Sequence, residues 1–462
     1  MRTFSSFDRF LILVTRNDAS ELLLESSPNG ARLPGLSIPA KTRLAAEITG
    51  AIENRWNLKT YCLFTLAAED TSDSGASTAV LEAGPFSEPL PDGISWHSLA
   101  SLAQADFVDP SNSATIERAL GTLEQYRRGQ LHGPFAQTGW LRRVTDWVEG
   151  EGEGIGLRLH GTFRQLNASP TFSLIRFETN GPALWFKAVG QPNLHEYSII
   201  RKLVIDFPQF VPRFVASRAQ WNAWLSVEAD GTHLCKDSHL RDWQRAATTF
   251  AHLQLATFGN ALHLIDVGCK DVRPLSLLGH VQPFFDFLAE SMDQQTKPSP
   301  APLARQEIQS LAREVKTSLD LLADSDIPSV LGHMDLNPGN ILVGESRCVF
   351  LDWAEGAVGH PFLSFEYLRE YWRKLHGADT AGEKALVCEY TSAWQSFVSP
   401  SAIKVALEHT PLVAAFAFAV LDKPWERPES LRYATAPYLR SLTRRMKREA
   451  DALKQRRAVC VP

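Results

Sequence analysis

Residues 331–355, with the sequence LGHMDLNPGNILVGESRCVFLDWAE, decide the fold of this chain. Three polar side chains interrupt the apolar stretch: Asp335, Asn340 and Asp352. Asp335 follows an apolar run and precedes an Asn-Pro-Gly turn, so its carboxylate is predicted to project from the end of a strand. The runs Ile-Leu-Val and Val-Phe-Leu flank Gly-Glu-Ser, which predicts a β-hairpin with Asn340 at its start and Asp352 at its far end.

Closing that hairpin brings an amide oxygen beside a carboxylate. Hard oxygen ligands of this kind suit Mg²⁺, which takes one or two protein ligands and completes its shell with water and phosphate oxygens. We therefore predict Asn340 and Asp352 as magnesium ligands. Asp335 lies close by in sequence, and an ionised carboxylate there can accept a proton from a hydroxyl group. The structural alternative is an Asp-Asn-Pro-Gly turn between core strands, with Asp352 as a surface acid.

The pattern His333-x-Asp335-x-x-x-x-Asn340, followed by Asp352-Trp353, resembles the catalytic segment of the aminoglycoside phosphotransferase and choline kinase family. The usual family form is closer to HGDLHPGN and IDW, so a methionine and an asparagine replace a glycine and a histidine here. The resemblance implies a two-lobed, protein-kinase-like α+β fold. It also implies that Asp335 is the catalytic base and that Mg²⁺ is held by the two predicted ligands.

Upstream residues extend this resemblance. A strand over residues 183–187 ends in Lys187, and Glu196 follows near the start of a predicted helix. In the family such a lysine contacts nucleotide phosphates and such a glutamate holds it by ion pairing. The stretch 224–228, which includes Ser226 and Glu228, resembles the segment that binds the nucleotide base and joins the lobes. The loop at 167–171 contains no glycine, which departs from the family pattern.

The first 148 residues resemble a Nudix hydrolase domain in their order of strands, a Leu-Pro-Gly turn and a helix. The helix carries only Glu47 and Glu53, too few acids for the family's metal site, so no pyrophosphatase activity is expected. The alternative is a small α/β accessory module without a ligand site. The complete prediction is a Nudix-like domain at 1–148, a linker at 149–160 and a kinase-like domain at 161–462.

Composition narrows the classes of protein to which this chain could belong. A net charge of −5 over 462 residues argues against general nucleic-acid binding, and six scattered cysteines are typical of free thiols in the cytoplasm. No secretory signal is expected from Met1 to Val14, because Asp8 and Arg9 interrupt the apolar run. No apolar run in the sequence reaches the length of a membrane span. A soluble cytoplasmic protein is expected, and its oligomeric state is not indicated.

The predicted function is transfer of the γ-phosphoryl group of ATP, with GTP as an open alternative, to a hydroxyl group of a small molecule. Acidic and aromatic residues interleave after Asp352, including Glu355, Glu366 and Glu370, which suits a cationic acceptor. An equally good interpretation is that the aromatic residues belong to the core and the acids are solvated. The alternative function is a pseudokinase-like regulatory module that binds nucleotide without transferring phosphate.

Overall fold

The protein is described by a computed structural model. The structure describes residues 7–459 apart from positions 29, 41, 69–75, 85–88, 103–106, 132, 170–171, 346, 378, 422, 429–430 and 432. The chain divides into two compact units. The first unit contains Met1–Tyr197 and Arg213–Glu228, and the second contains Ser198–Pro212 and Ala229–Pro462.

The first unit contains most of the strands. Its strands are β1 Phe7–Arg16, β2 Glu21–Ser27, β3 Gly30–Arg32, β4 Gly35–Pro39, β5 Thr60–Leu66, β6 Ser77–Ala83, β7 Ile94–Ser98, β8 Leu159–Ser169, β9 Phe172–Thr179, β10 Leu184–Val189, β11 Phe214–Arg218 and β12 Ala223–Val227. Its helices are α1 Leu44–Trp56, α2 Leu99–Leu102, α3 Ser111–Arg127 and α4 Trp140–Glu153, and α5 His195–Asp206 begins in it.

The second unit is mainly helical. Its helices are α6 Leu240–Ala256, α7 Ala261–Asp266, α8 Pro274–Asp293, α9 Arg305–Ala323, α10 Pro361–His376, α11 Thr380–Trp394, α12 Pro400–Val420 and α13 Ala436–Val459. Its strands are β13 Thr232–His233, β14 Lys270–Val272, β15 Val330–His333, β16 Ile341–Val343, β17 Cys348–Phe350 and β18 Gly356–Gly359.

The N-terminal module, residues 7–153, is built on a sheet with the order β3-β2-β1-β6-β5, in which β4 pairs with β1 and β7 with β2. Ile12, Leu13 and Val14 of β1 are all fully buried. Consecutive residues of a strand point to opposite faces, so both faces of this sheet must be covered. Helix α1 packs on one face, and α3 and α4 contribute to the core on the other. The Nudix-like interpretation of this module stays a prediction.

A second sheet in the first unit has the order β11-β12-β10-β9-β8 and is antiparallel throughout. Its inner residues, such as Phe186, share one core with Trp140 of α4 and with Leu13 of β1. The structure therefore unites the N-terminal module and this sheet in a single unit, which differs from the predicted division at residues 149–160.

The predicted linker begins inside a helix. Helix α4 continues through Glu153, because Trp140, Val144, Val148 and Gly152 repeat every fourth residue and are buried. A Cβ at Gly152 would lie 3.0 Å from the Leu157 carbonyl oxygen, so a glycine allows the helix end to pack closely against the following chain. Among the glycines of this stretch, Gly152 therefore serves helix packing.

The second unit carries two short sheets, β13-β16-β17 and β14-β18-β15, against buried helices. The hairpin predicted from the sequence is present as β16 and β17, with Ile341 opposite Phe350. In the described part of the chain, one segment, Pro400–Glu426, has the length and apolar character of a membrane span. Its most apolar window is 72% buried inside the protein, as in the core helix of a soluble protein.

Candidate active site

Asp335 lies directly beyond the buried strand β15 and is half-buried. Its Oδ2 accepts hydrogen bonds from the Nδ2 of Asn337 at 2.9 Å and from the Nδ2 of Asn340 at 3.3 Å. Asn340 also donates to the Asp335 backbone carbonyl at 3.0 Å. These bonds fix the carboxylate in orientation and do not use Oδ1. Asp335 is thus held as an acceptor, as the prediction of a general base requires.

Asn340 and Asp352 are neighbours across the hairpin ends. The Leu351 backbone N–H donates to the Asn340 carbonyl at 2.9 Å, so the ladder of β16 and β17 extends to the residue before Asp352. Asp352 has φ of 62°, a left-handed conformation that is uncommon for a residue with a side chain and that turns the chain sharply after β17. The backbone pairing thus places residues 340 and 352 at the same end of the hairpin, and their joint role as metal ligands stays a prediction.

The amide oxygen of Asn340 and the carboxylate of Asp352 are hard donors, the type of ligand that a magnesium ion prefers. The amide nitrogen of Asn340 is used in donating to Asp335, which leaves its Oδ1 as the atom for a cation. Among the described residues, no group of three or more His, Cys, Asp or Glu side chains could hold a metal by itself. One amide and one carboxylate would bind Mg²⁺ only together with waters and phosphate oxygens, which is the usual arrangement for a nucleotide-bound ion.

His333 connects the loop of Asp335 with the end of β17. The Asp335 backbone N–H donates to His333 Nδ1 at 3.2 Å, and His333 Nε2 lies 2.9 Å from the Leu351 carbonyl oxygen. These partners require the neutral ring with its proton on Nε2. Complete burial lowers the His333 pKa, although the Leu351 carbonyl and nearby carboxylates act in the opposite direction. The sequence motif contained this histidine, but its bridging contacts became visible only in the structure.

Lys187 and Glu196 form an ion pair in the first unit. The distance from Lys187 Nζ to Glu196 Oε1 is 2.6 Å, and their side chains are 13% and 2% exposed. The lysine lies in β10 and the glutamate in the first turn of α5. The rings of Phe172 and Trp224 lie about the ammonium group, with centroids at 5.5 Å and 5.6 Å. A pair of this kind holds a phosphate-binding lysine in one place.

Ser226 and Glu228 lie in and directly after β12. The Glu228 carboxylate accepts bonds from Arg176 at 2.7 Å and 2.9 Å and from Trp185 Nε1 at 3.1 Å. The hydrogen bond from Arg176 lowers the pKa of Glu228, with Trp185 adding to the effect. The backbone N–H of Glu228 donates to the Ala183 carbonyl. The carboxylate and the backbone N–H of Glu228 are thus already bonded, so its backbone carbonyl is the group that could bind a nucleotide.

The described residues of the predicted phosphate loop, 167–169, form the end of strand β8. Ser169 pairs with Phe172, and Asn167 Nδ2 donates to the Phe172 carbonyl at 2.9 Å. The backbone and side chains of residues 167–169 are thus used in pairing β8 with β9. Positions 170–171, which include a proline and a threonine assigned to this loop, lie outside the described residues.

The acids proposed for a cationic acceptor are all paired with cations of this chain. Glu366 is 1% exposed and contacts Arg369 and Arg373, so it is a buried structural charge. Glu370 pairs with Arg445 at 2.7 Å. The aromatic neighbours of these acids, apart from the half-buried tyrosine at 371, are core residues. The buried aromatics match the alternative of core residues, whereas the side chains of Glu355 and Glu370 are 34% and 40% exposed, so the cationic acceptor stays a prediction.

Residues 206–383 match the phosphotransferase enzyme family. The matched segment contains Asp335, Asn340 and Asp352, so the resemblance read from the catalytic segment is confirmed. The Nudix-like segment is not part of this match. No curated protein sequence matches the chain significantly.

Solved structures with similarity to the chain include phosphotransferases and small-molecule kinases. A macrolide 2'-phosphotransferase from Brachybacterium faecium is 18% identical, with a TM-score of 0.42 and coverage of 64% of this chain and 97% of the other. An ethanolamine kinase from Plasmodium vivax is 14% identical, with a TM-score of 0.46 and coverage of 71% and 93%. A choline kinase from Streptococcus pneumoniae is 14% identical, with a TM-score of 0.40 and coverage of 65% and 99%.

Proposed function

We propose that this protein is a small-molecule phosphotransferase that transfers the γ-phosphoryl group of ATP to a hydroxyl group. One observation carries the proposal: the Asp335 carboxylate is oriented by Asn337 and Asn340 next to a hairpin that brings Asn340 to Asp352. This arrangement lies in the segment that matches the phosphotransferase family.

The roles of the residues follow from their chemistry. Asp335 accepts the proton of the acceptor hydroxyl and aligns its oxygen for attack on the terminal phosphorus. The Asn337 amide keeps the carboxylate in one rotamer, so little reorientation is needed at the moment of reaction. Lys187, held by Glu196, contacts the phosphate groups of the donor and balances their charge. Ser226 and Glu228 lie in the stretch assigned to the nucleotide base.

Asn340 Oδ1 and the Asp352 carboxylate would hold Mg²⁺ with the donor's phosphates. A magnesium ion bound there supplies charge neutralisation of the phosphate oxygens in the transition state. The residues of this chain contribute orientation: His333 ties the Asp335 backbone to the Leu351 carbonyl, so the two carboxylates keep one separation.

The acceptor is a small hydroxylated molecule. The similar structures include a macrolide phosphotransferase, an ethanolamine kinase and a choline kinase, whose acceptors differ widely in size. In this chain the predicted acceptor acids are neutralised by Lys270, Arg445 and a pair of arginines. The acceptor screen therefore includes neutral polyhydroxylated compounds beside cationic amino alcohols and amino sugars.

The proposal is tested with full-length protein, ATP labelled on the γ-phosphate, Mg²⁺ and these two groups of acceptors. Transfer of label to an acceptor that is abolished in Asp335→Asn supports the function. ATP binding without transfer to any acceptor favours the pseudokinase-like alternative. A parallel reaction with labelled GTP identifies the donor, and a reaction with a chelator in place of Mg²⁺ tests the metal requirement.

A further inference from the structure

The N-terminal module is hydrogen-bonded to the hairpin of β8 and β9. Gln165 of β8 is 2% exposed, and its side-chain amide makes two bonds to the backbone of Cys62 in β5. Gln165 Nε2 donates to the Cys62 carbonyl at 2.8 Å, and the Cys62 N–H donates to Gln165 Oε1 at 2.8 Å. A buried amide with both polar ends satisfied fixes the position of the strand that carries it.

A second contact lies nearer the end of the hairpin. The hydroxyl groups of Tyr61 and Ser173 share a hydrogen bond of 3.2 Å, and both residues are fully or almost fully buried. Ala168 of β8 packs against the core beneath α1 of the module. The module thus contacts the hairpin along β8 and again at the second residue of β9.

The other side of the hairpin adjoins the predicted phosphate lysine. Phe172 pairs with Val189 and Leu174 pairs with Lys187 in the register of β9 and β10. The Phe172 ring centroid lies 5.5 Å from Lys187 Nζ. Ser173, bonded to Tyr61, lies between these two residues of β9 in sequence. A shift of the hairpin would therefore change the surroundings of the Lys187 ammonium group directly.

These contacts give the module a role that neither its own fold nor the phosphotransferase assignment provides. We propose that the N-terminal module is a positioning element for nucleotide phosphate binding, which acts through Gln165 and Ser173 by fixing the β8–β9 hairpin beside Lys187. This inference rests on the proposed function. A hairpin that is already fixed before binding keeps the Lys187 ammonium group in one environment, so little conformational freedom is lost when the lysine contacts phosphate, which favours affinity for the donor.

Two substitutions in the full-length protein remove these contacts. Gln165→Met keeps the length of the side chain and leaves the Cys62 N–H and carbonyl without their buried partner. Tyr61→Phe removes only one hydroxyl group and keeps the ring in the core. The matched control is Asn112→Leu, because Asn112 is also 2% exposed and its Oδ1 accepts a 2.7 Å bond from the Leu33 N–H, within the module and away from β8.

The expected result is selective. Gln165→Met raises the KM for nucleotide about tenfold and Tyr61→Phe about threefold, while kcat and the acceptor KM stay within about twofold of the wild-type values. Asn112→Leu lowers the melting temperature without raising the nucleotide KM. If Gln165→Met does not fold, Tyr61→Phe and the control carry the comparison. A wild-type nucleotide KM in the folded variants, or an equal rise in Asn112→Leu, overturns the inference.

A second readout separates this inference from the proposed function. The dissociation constant for ATP with Mg²⁺, measured by calorimetry, requires no acceptor and is expected to follow the same order among the variants. Protein that binds ATP but transfers no phosphate contradicts the proposed function, whereas weaker binding in Gln165→Met still supports the positioning role. Protein that transfers phosphate but binds ATP equally well in all variants contradicts the positioning role alone. Protein that binds no nucleotide contradicts both.

Discussion

The residues proposed to act in phosphate transfer are supported differently in the two units. In the second unit, Asp335 is oriented by Asn337 and Asn340, which follow it by two and five residues. In the first unit, the hairpin beside Lys187 is supported by bonds from Cys62 and Tyr61, 103 and 112 residues before their partners. The orientation of Asp335 depends on residues of the same short motif, whereas the position of the hairpin beside Lys187 depends on the fold of the whole N-terminal module.

The largest expected effect is on the locally supported residue. Asp335→Asn removes the proton acceptor but keeps a side chain that can still accept from Asn337 and Asn340. We expect kcat to fall about 10³-fold, within the range for loss of a general base, with ATP affinity unchanged. Steady-state transfer assays and an ATP titration measure the two quantities. A variant with full transfer activity would show that Asp335 is not the base.

In the first unit, Glu196→Gln removes the buried carboxylate that pairs with the Lys187 ammonium group. We expect the nucleotide KM to rise about tenfold and the free energy of unfolding to fall by about 3 kcal/mol, the cost of breaking a buried ion pair. Transfer kinetics and denaturant unfolding measure these changes.

The control for that variant is Asp320→Asn. It breaks the Lys316–Asp320 pair of α9, whose side chains are mostly exposed. Exposed pairs contribute little to stability, so both measurements are expected to remain near their wild-type values. Equal effects of the two substitutions would mean that Lys187 and Glu196 form an ordinary structural pair.

A third prediction concerns the stability of the second unit at low pH. His360 is buried, its ring nitrogens have no hydrogen-bond partner among the described residues, and burial lowers its pKa from 6.5 to about 3. In the unfolded chain His360 is therefore protonated with a pKa near 6.5, whereas in the folded chain it is protonated only near pH 3. Stability is full above pH 6.5 and decreases as the pH falls, by about 2 kcal/mol at pH 5.

His360→Leu is expected to remove that part of the pH dependence in denaturant unfolding measured at pH 7 and pH 5. His263→Leu, at an exposed position of α7, should leave the wild-type dependence unchanged. If His360→Leu loses as much unfolding free energy between pH 7 and pH 5 as the wild type does, then His360 is already protonated in the folded protein at pH 5.

The smallest expected effect concerns the acceptor side. Glu355 pairs with Lys270 at 2.5 Å, so its charge is already balanced within the second unit. We expect Glu355→Gln to change the KM of a cationic acceptor by about threefold or less. A loss of tenfold or more for cationic acceptors, with neutral acceptors unaffected, would restore Glu355 as a residue that selects positive charge.

The same contrast explains what the sequence could predict. The hairpin carrying Asn340 and Asp352 and the Lys187–Glu196 pair could be found because their residues are close in sequence and of distinctive chemistry. Two other contacts could not be predicted, because the residues that form them lie far apart in sequence: the ion pair of Glu370 with Arg445 and the hydrogen bonds of Gln165 with Cys62. The extension of α4 to Glu153 could not be predicted either, because the last buried position, Gly152, has no apolar side chain and lies among alternating glycines and glutamates.

The most direct test of the account is an ATP titration with and without Mg²⁺ for the wild type, Asp352→Asn and Asp335→Asn. We expect Mg²⁺ to strengthen ATP binding in the wild type and in Asp335→Asn, and we expect this strengthening to be lost in Asp352→Asn. Binding of ATP by Asp352→Asn with the magnesium dependence of the wild type would contradict the assignment of the metal site.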